Sequence, residues 1–328
     1  MVSYLAVQLA SIQQYMGWIM IIYIVFGNIG NLCNCLVFLR KQLRSNSCSC
    51  YLLAGSISNI IVLSFVTSTN IFSIEQFDPT NNSLIYCKLR AYFSHIVINL
   101  SRFLIVLACF DRVCISSSKV SMRNLGKVPV ALRIIFLTIV CWSLISVHAL
   151  VWNTISNGKC IKPGLYNIIF GIYVFIVIGV APLILMITFS LVTWRNIRVA
   201  HRRVHPASTI SSMRQRDFQL TRMLVAEVVV YVLSTIPFPV YSFYSSVTMS
   251  INKSVDQQTI EAFINFIATV FMVYINPSST FYVYLATSKT FRVEFKAAVK
   301  NIWHRVLRRN QQRQPLNEPT MMLATRFL

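Results

Sequence analysis

Seven stretches of this chain are each long and apolar enough to cross a bilayer, and that feature limits the fold more than any other. Hydropathy places them at roughly 17–40, 49–72, 89–114, 130–153, 165–193, 219–246 and 259–285, against the about 20 apolar residues that a spanning helix requires. In hydrocarbon the backbone must satisfy its own hydrogen bonds, so helices are expected; barrel strands would alternate and run to only about 10 residues. The expected class is therefore an all-α membrane protein, a seven-transmembrane helix bundle over 17–287. Composition agrees, with 55% hydrophobic and 12% charged residues yet a net charge of +21. A soluble globule or a disordered chain would carry far more charge, as would a basic nucleic-acid binder, so no nucleic-acid partner is expected.

The positive charge is distributed by side. Arg40, Lys41 and Arg44 follow the first span, Lys119, Arg123 and Lys127 the third, and Arg195, Arg198, Arg202, Arg203, Arg214 and Arg216 the fifth. Nine more lie after the seventh, from Lys289 to Arg326. The opposite loops hold Lys88, Arg90, Lys159, Lys162 and Lys253, diluted by Glu75, Asp78, Asp256 and Glu261. Basic loops stay cytoplasmic, which predicts an extracellular N-terminus (1–16) and a cytoplasmic C-terminus. The 1–16 segment has no Lys, Arg or cleavable signal pattern, so the first span is expected to act as an uncleaved insertion signal.

Two glycosylation triplets, starting at Asn81 and Asn252, fall in the expected outer loops. Of nine cysteines only Cys87 and Cys160 lie on the oxidising side. A disulfide between them would pin the loop between spans four and five over the bundle mouth; two free thiols are the alternative.

Landmarks along the spans carry a resemblance. Gly30-Asn31 stands in span one and Phe110-Asp111-Arg112-Val113 closes span three, with Cys87 standing 25 residues before Arg112. Trp142 lies in span four, Pro182 in five, Pro237 in six, Asn276-Pro277 in seven, and Phe291-Arg292 follows. In order and spacing the chain resembles a rhodopsin-like (class A) G-protein-coupled receptor over residues 17 to about 303, with a neuropeptide-receptor-like cast. The resemblance implies a plasma-membrane protein with an extracellular ligand and a heterotrimeric G protein as partners, besides the lipid bilayer, and no enzymatic activity or cofactor. It also implies a latch between Arg112 and Asp217, which lies 20 residues before Pro237, holding the inner ends of spans three and six. The alternative is an Arg112 that snorkels to headgroups. The prolines each remove a backbone donor and should bend their helices.

Several landmarks depart from the family. Asn59 stands where a sodium-binding Asp is usual, Thr235 replaces the pocket-floor Trp, Ser190 the inner Tyr of span five, and Thr280 the Tyr of span seven. Tyr284, one helical turn further on, is positioned to supply that phenol. Two charges, Arg102 and Glu227, fall inside spans three and six, where an unpaired charge costs several kcal/mol. They are expected to face the interior and interact directly or through water, in a polar network with Asn31 and Asn59; separate pairing with carbonyls is the alternative.

No Lys in 259–285 excludes a retinal Schiff base, and Ser94 at the position of the amine-binding carboxylate argues against biogenic amines. The expected ligand-pocket residues are Ser94, His95 and Asn99 from span three, Tyr241 and Tyr244 from span six, and Asn265, Thr269 and Tyr274 from span seven. Phenols, amides and hydroxyls suit a peptide or neutral ligand, and the outer acids would attract a basic peptide. No metal site is expected at His95, because no second His or Cys has metal spacing. Residues 288–303 alternate apolar and basic faces and read as an interfacial amphipathic helix, followed by a disordered tail over 304–328. A secondary transporter or non-coupling seven-span protein is the rival reading, weakened by the lack of internal repeats. No span carries a hydrolase or metalloprotease motif.

Overall fold

A computed structural model describes residues 4–74, 79–203, 208–248 and 251–313, with side chains at 5–6, 72–74, 200–203, 208–217 and 306–313 outside the described set. Seven helices span the bundle: α1 (Tyr4–Phe38), α2 (Ser47–Ile71), α3 (Leu84–Ser116), α4 (Val128–Trp152), α5 (Gly164–Val199), α6 (Phe218–Val247) and α7 (Val255–Thr287). An eighth, α8 (Lys289–Arg313), follows. The α1 helix begins well before residue 17, because no Pro or Gly interrupts the chain until Gly17. Likewise α8 runs past 303 to Arg313, and Pro315 lies just beyond, where a helix cannot easily continue. Residues 314–328 lie outside the described set.

The central helix is α3, which packs against α2, α4, α5 and α6, while α1 packs between α2 and α7. Close approach of α1 to α7 depends on glycine. A Cβ on Gly27 would stand 2.9 Å from the Ser278 Cα, and one on Gly30 would stand 2.9 Å from the Phe281 Cβ. In a membrane such backbone proximity replaces the hydrophobic drive that water would supply. Apolar side chains point outward instead: Leu132, Phe136, Leu137, Val140 and Leu144 of α4 are all exposed, whereas Trp142 is buried.

The larger core fills the half nearest Arg112, with Phe38, Tyr51, Leu104, Ile105, Met223, Leu224, Tyr284 and Phe291 in contact. A smaller one, around Met20, Leu63, Val97, Phe266 and Tyr274, fills the half nearest Cys87. The first is called here the arginine end and the second the disulfide end. Helix α8 docks on the arginine end through Phe291, which packs against Phe38, Phe281 and Tyr284. An ion pair between Arg40 Nε and Glu294 Oε2 (2.5 Å) ties it to the chain after α1.

Each expected bend coincides with broken helical regularity. Pro182 cannot donate to residue 178, and a π-helical stretch over Val174–Val180 absorbs the mismatch. The α6 helix is interrupted between Thr235 and Pro237. Ahead of Pro277, α7 passes through a π stretch (Phe266–Phe271) and a 3₁₀ turn (Met272–Tyr274). A further π stretch, Val62–Thr67 in α2, has no proline to announce it.

Between α4 and α5 two short strands, β1 (Thr154–Ser156) and β2 (Lys159–Ile161), pair antiparallel with Ser156 opposite Lys159. The two-residue turn is Asn157-Gly158, both with positive φ (51° and 66°), the residue pair that such a hairpin turn favours.

Candidate functional site

At the arginine end, α3 closes on Asp111 and Arg112, both only 3% exposed. Arg112 Nη2 donates to Asp111 Oδ2 at 2.5 Å and Nε to the same oxygen at 3.2 Å. Its Nη2 also lies 3.0 Å from Asn46 Oδ1. Asn46 is the N-cap of α2, and the same oxygen accepts from the Cys48 backbone N–H at 3.0 Å. One carbonyl therefore satisfies an otherwise orphaned helix donor and a guanidinium N–H whose charge Asp111 balances. Sequence reasoning missed Asn46, although an Asn directly before the apolar run of span two is an N-cap signal. Asp217, the other expected partner of Arg112, has its side chain outside the described residues.

Deeper in the bundle the polar network is continuous. Asn31 Nδ2 donates to the carbonyls of Gly27 and Pro277, each at 2.8 Å. Its Oδ1 accepts from Asn59 Nδ2 and from Thr280 Oγ1, both at 3.3 Å, and the Ser101 hydroxyl donates to Asn59 Oδ1. Helices α1, α2, α3 and α7 are thereby joined at one level. The Pro277 carbonyl that Asn31 takes up ties α1 to α7 at the level where the proline interrupts the helix.

Arg102 and Glu227 do not form an ion pair. Glu227, 1% exposed, accepts from the Tyr284 hydroxyl, so the phenol displaced one turn along α7 serves to tie α7 to α6. Arg102, 5% exposed, lies over the Phe238 ring with its guanidinium carbon 5.6 Å from the centroid. Its Nη1 has no hydrogen-bond partner. The two charges face different small cavities: Glu227 and Tyr284 line one with Asn59, and Arg102 lines another with Tyr231 and Asn276. Ser101 borders both.

The expected ligand residues are divided among several environments. The structure draws His95 toward α4 and α5, where its Nδ1 lies 2.9 Å from the Ser146 hydroxyl and its ring packs on Trp142, Phe170 and Tyr173. His148 stands beside it, ring centroids 5.0 Å apart, a neighbour that sequence spacing did not indicate. Among the described residues no group of three or more His, Cys, Asp or Glu is placed to hold a metal. Asn99 is buried and its Nδ2 donates to the His95 carbonyl at 2.7 Å, while the buried Ser94 hydroxyl has no partner. The Tyr274 hydroxyl is engaged by Asn70 Nδ2 at 2.7 Å, and Arg90 Nη2 donates to Asn70 Oδ1 at 2.5 Å, in a network joining α7, α2 and α3. Thr269 donates to the Asn265 carbonyl at 2.7 Å, within its own helix. Tyr241 packs against Tyr244.

Tyr244 of α6 donates to Glu261 Oε1 of α7 at 2.8 Å, and Lys253 Nζ reaches Glu261 Oε2 at 2.5 Å. Glu261 is thus neutralised locally. Asp256 lies in the first turn of the helix capped by Ser254, and Glu75 and Asp78 fall outside the described residues. Of the acids expected to attract a basic ligand, Glu261 is therefore already committed.

Over this end the Cys87–Cys160 disulfide (Cα–Cα 5.8 Å) fastens β2 to the start of α3. Asn81 Oδ1 accepts from the Cys160 backbone N–H at 3.0 Å, so the first glycosylation triplet is docked on the hairpin, whereas Asn252 is exposed. Lys162 beside the hairpin lies 4.5 Å from the Phe170 ring centroid, and burial pushes its ammonium below the ordinary lysine range.

No curated protein matches the chain. A family model described as "7 transmembrane receptor (rhodopsin family)" matches residues 30–287, from Gly30 beside the Asn31 hub to Thr287 at the end of α7. With that match covering most of the chain, seven spanning helices and the disulfide over one end, the protein belongs to the rhodopsin family of seven-transmembrane receptors.

Proposed function

We propose that the protein lies in the plasma membrane with its disulfide end outside and its arginine end in the cytosol, and that it passes the binding of an extracellular ligand to a heterotrimeric G protein. The basic residues after spans one, three, five and seven support this orientation. The observation that carries the mechanism is the clasp of Arg112 by Asp111 and Asn46 at the buried inner tip of α3. Such a clasp defines two states, clasped or released to a partner and solvent, and a ligand that favours the released one shifts the balance between them. Asp217 at the inner end of α6 is the further latch partner. The Tyr284–Glu227 bond makes α6 and α7 move as a coupled pair. A peptide is the favoured ligand class, from the aromatic and amide groups at the outer ends of α6 and α7, with Tyr244 and Asn265 exposed.

The test is guanine-nucleotide exchange in cells expressing the full chain, challenged with a peptide library. Ligand-dependent exchange that disappears on Arg112→Ala while surface expression persists supports the reading. Solute uptake without exchange overturns it in favour of a transporter.

A further inference from the structure

A small cavity separates Arg102 from Asn276, next to the polar network centred on Asn31 and Asn59. It lies at the core of the bundle, bordered by Ser101 and Arg102 of α3, Tyr231 and Thr235 of α6, and Asn276 of α7, with room for about one water-sized particle. Two of its lining groups are buried donors without a hydrogen-bond partner: Arg102 Nη1 and Asn276 Nδ2. Arg102 is 5% exposed and Asn276 4%. No acid lines the cavity, and Glu227 is turned to Tyr284 in the neighbouring one. A full positive charge is thus desolvated inside a membrane protein with the Phe238 ring set against it and no acid paired with it among the described residues.

Burying an unpaired guanidinium costs several kcal/mol, and an orphaned amide N–H adds to that. Both deficits have the same sign: each group is a donor that requires negative charge or a lone pair. Water would satisfy the hydrogen bonds and leave the charge uncompensated. A monatomic anion satisfies both at once, and the dimensions exclude polyatomic carboxylates such as gluconate.

We propose that this cavity is a halide site, taking chloride under cellular conditions, in which Arg102 Nη1 and Asn276 Nδ2 hold the anion between α3 and α7. Asn276 immediately precedes Pro277, whose carbonyl Asn31 engages, so the bound anion links the proline-disrupted turn of α7 to the centre of α3. It stabilises the arrangement in which these helices are close, and a movement of α7 away from α3 opens the site. The inference rests on the cavity alone and does not depend on what the protein couples to.

The test uses the purified full-length protein in detergent, with potassium and ionic strength held constant while chloride replaces gluconate. Thermal unfolding should rise saturably by about 2–4 °C with chloride. Bromide should support the same rise, and gluconate should not. Line broadening of the ³⁵Cl resonance by the protein should be reversed by bromide. Arg102→Gln should abolish the chloride-dependent shift, and the milder Asn276→Ser should move half-saturation about tenfold higher, as loss of one charge-assisted bond requires. A rise of equal size in gluconate, or no ³⁵Cl broadening by the wild-type protein, overturns the proposal. So does an Arg102→Gln protein that folds and keeps the full chloride response. Since none of these readings involves signalling, their failure is distinct from failure of the receptor assignment.

Discussion

The Tyr284 hydroxyl on α7 donates to the Glu227 carboxylate on α6, and both side chains are almost wholly buried, at 2% and 1% exposure. Tyr284 also packs edge-on against Phe38 of α1 and Phe291 of α8, so a single α7 side chain meets three other helices. The carboxylate has no arginine or lysine as an ion-pair partner among the described residues. Its anchoring therefore depends on the phenol.

Removing only the hydroxyl isolates this effect. Tyr284→Phe keeps the ring packing and should destabilise the protein by about 1.5–3 kcal/mol, the range for a hydrogen bond to a charged group. Glu227→Gln retains an acceptor for the phenol and should cost less. Thermal unfolding of the two purified variants gives the order, and Glu227→Gln as the more damaging change would contradict it.

The Asn46 carbonyl serves both the first turn of α2 and Arg112. Asn46→Ala should cost about 1 kcal/mol in lost capping, and more if the guanidinium finds no substitute. Basal nucleotide exchange should increase because the clasp on Arg112 is weakened. Asn46→Asp keeps the cap and adds charge, so it should lower basal exchange instead. Comparing both variants at matched surface expression checks the sign.

Closing the chain between Cys87 and Cys160 constrains a long loop. Cys87→Ser or Cys160→Ser should each lower stability by about 2–5 kcal/mol, and the double variant by no more than either single one. Surface expression together with thiol labelling of the unpartnered cysteine provides the measurement. Additive losses would mean that the cysteines act separately.

Between the two glycosylation triplets, access differs. Asn252 is exposed, whereas the Asn81 side chain is held against the hairpin by the Cys160 amide. Asn252→Gln should remove most of the glycosidase-sensitive mobility shift on a denaturing gel, and Asn81→Gln little of it. The reverse pattern would show that the hairpin docks after glycosylation.

The hydropathy runs, the distribution of basic residues and the spacing of Cys87, Arg112 and Pro277 were enough to predict a seven-helix bundle of this family. Membrane insertion depends on segment-averaged transfer energy, which is additive along the chain and readable without knowing any neighbour. Helix regularity was legible in the same way at Pro182, Pro237 and Pro277, because a missing N–H is a local fact. The π stretch at Val62–Thr67 was not, since no residue there forces it.

Partner choice escaped the one-dimensional reading. Arg102 and Glu227 carry opposite charges in neighbouring helices, and their types suggest attraction. Rotation of α6 instead turns Glu227 to Tyr284 and leaves Arg102 facing Asn276 and the Phe238 ring. In the same way Tyr274 and Tyr244, read as ligand contacts, are engaged by Asn70 and Glu261, and Asn99 by the His95 carbonyl. A buried polar group takes whichever complementary atom the packed helices bring within about 3 Å, a relation of rotation and depth between helices far apart in the chain. Which residues enter the membrane is thus written in local composition; which of them meet is a property of the assembled bundle.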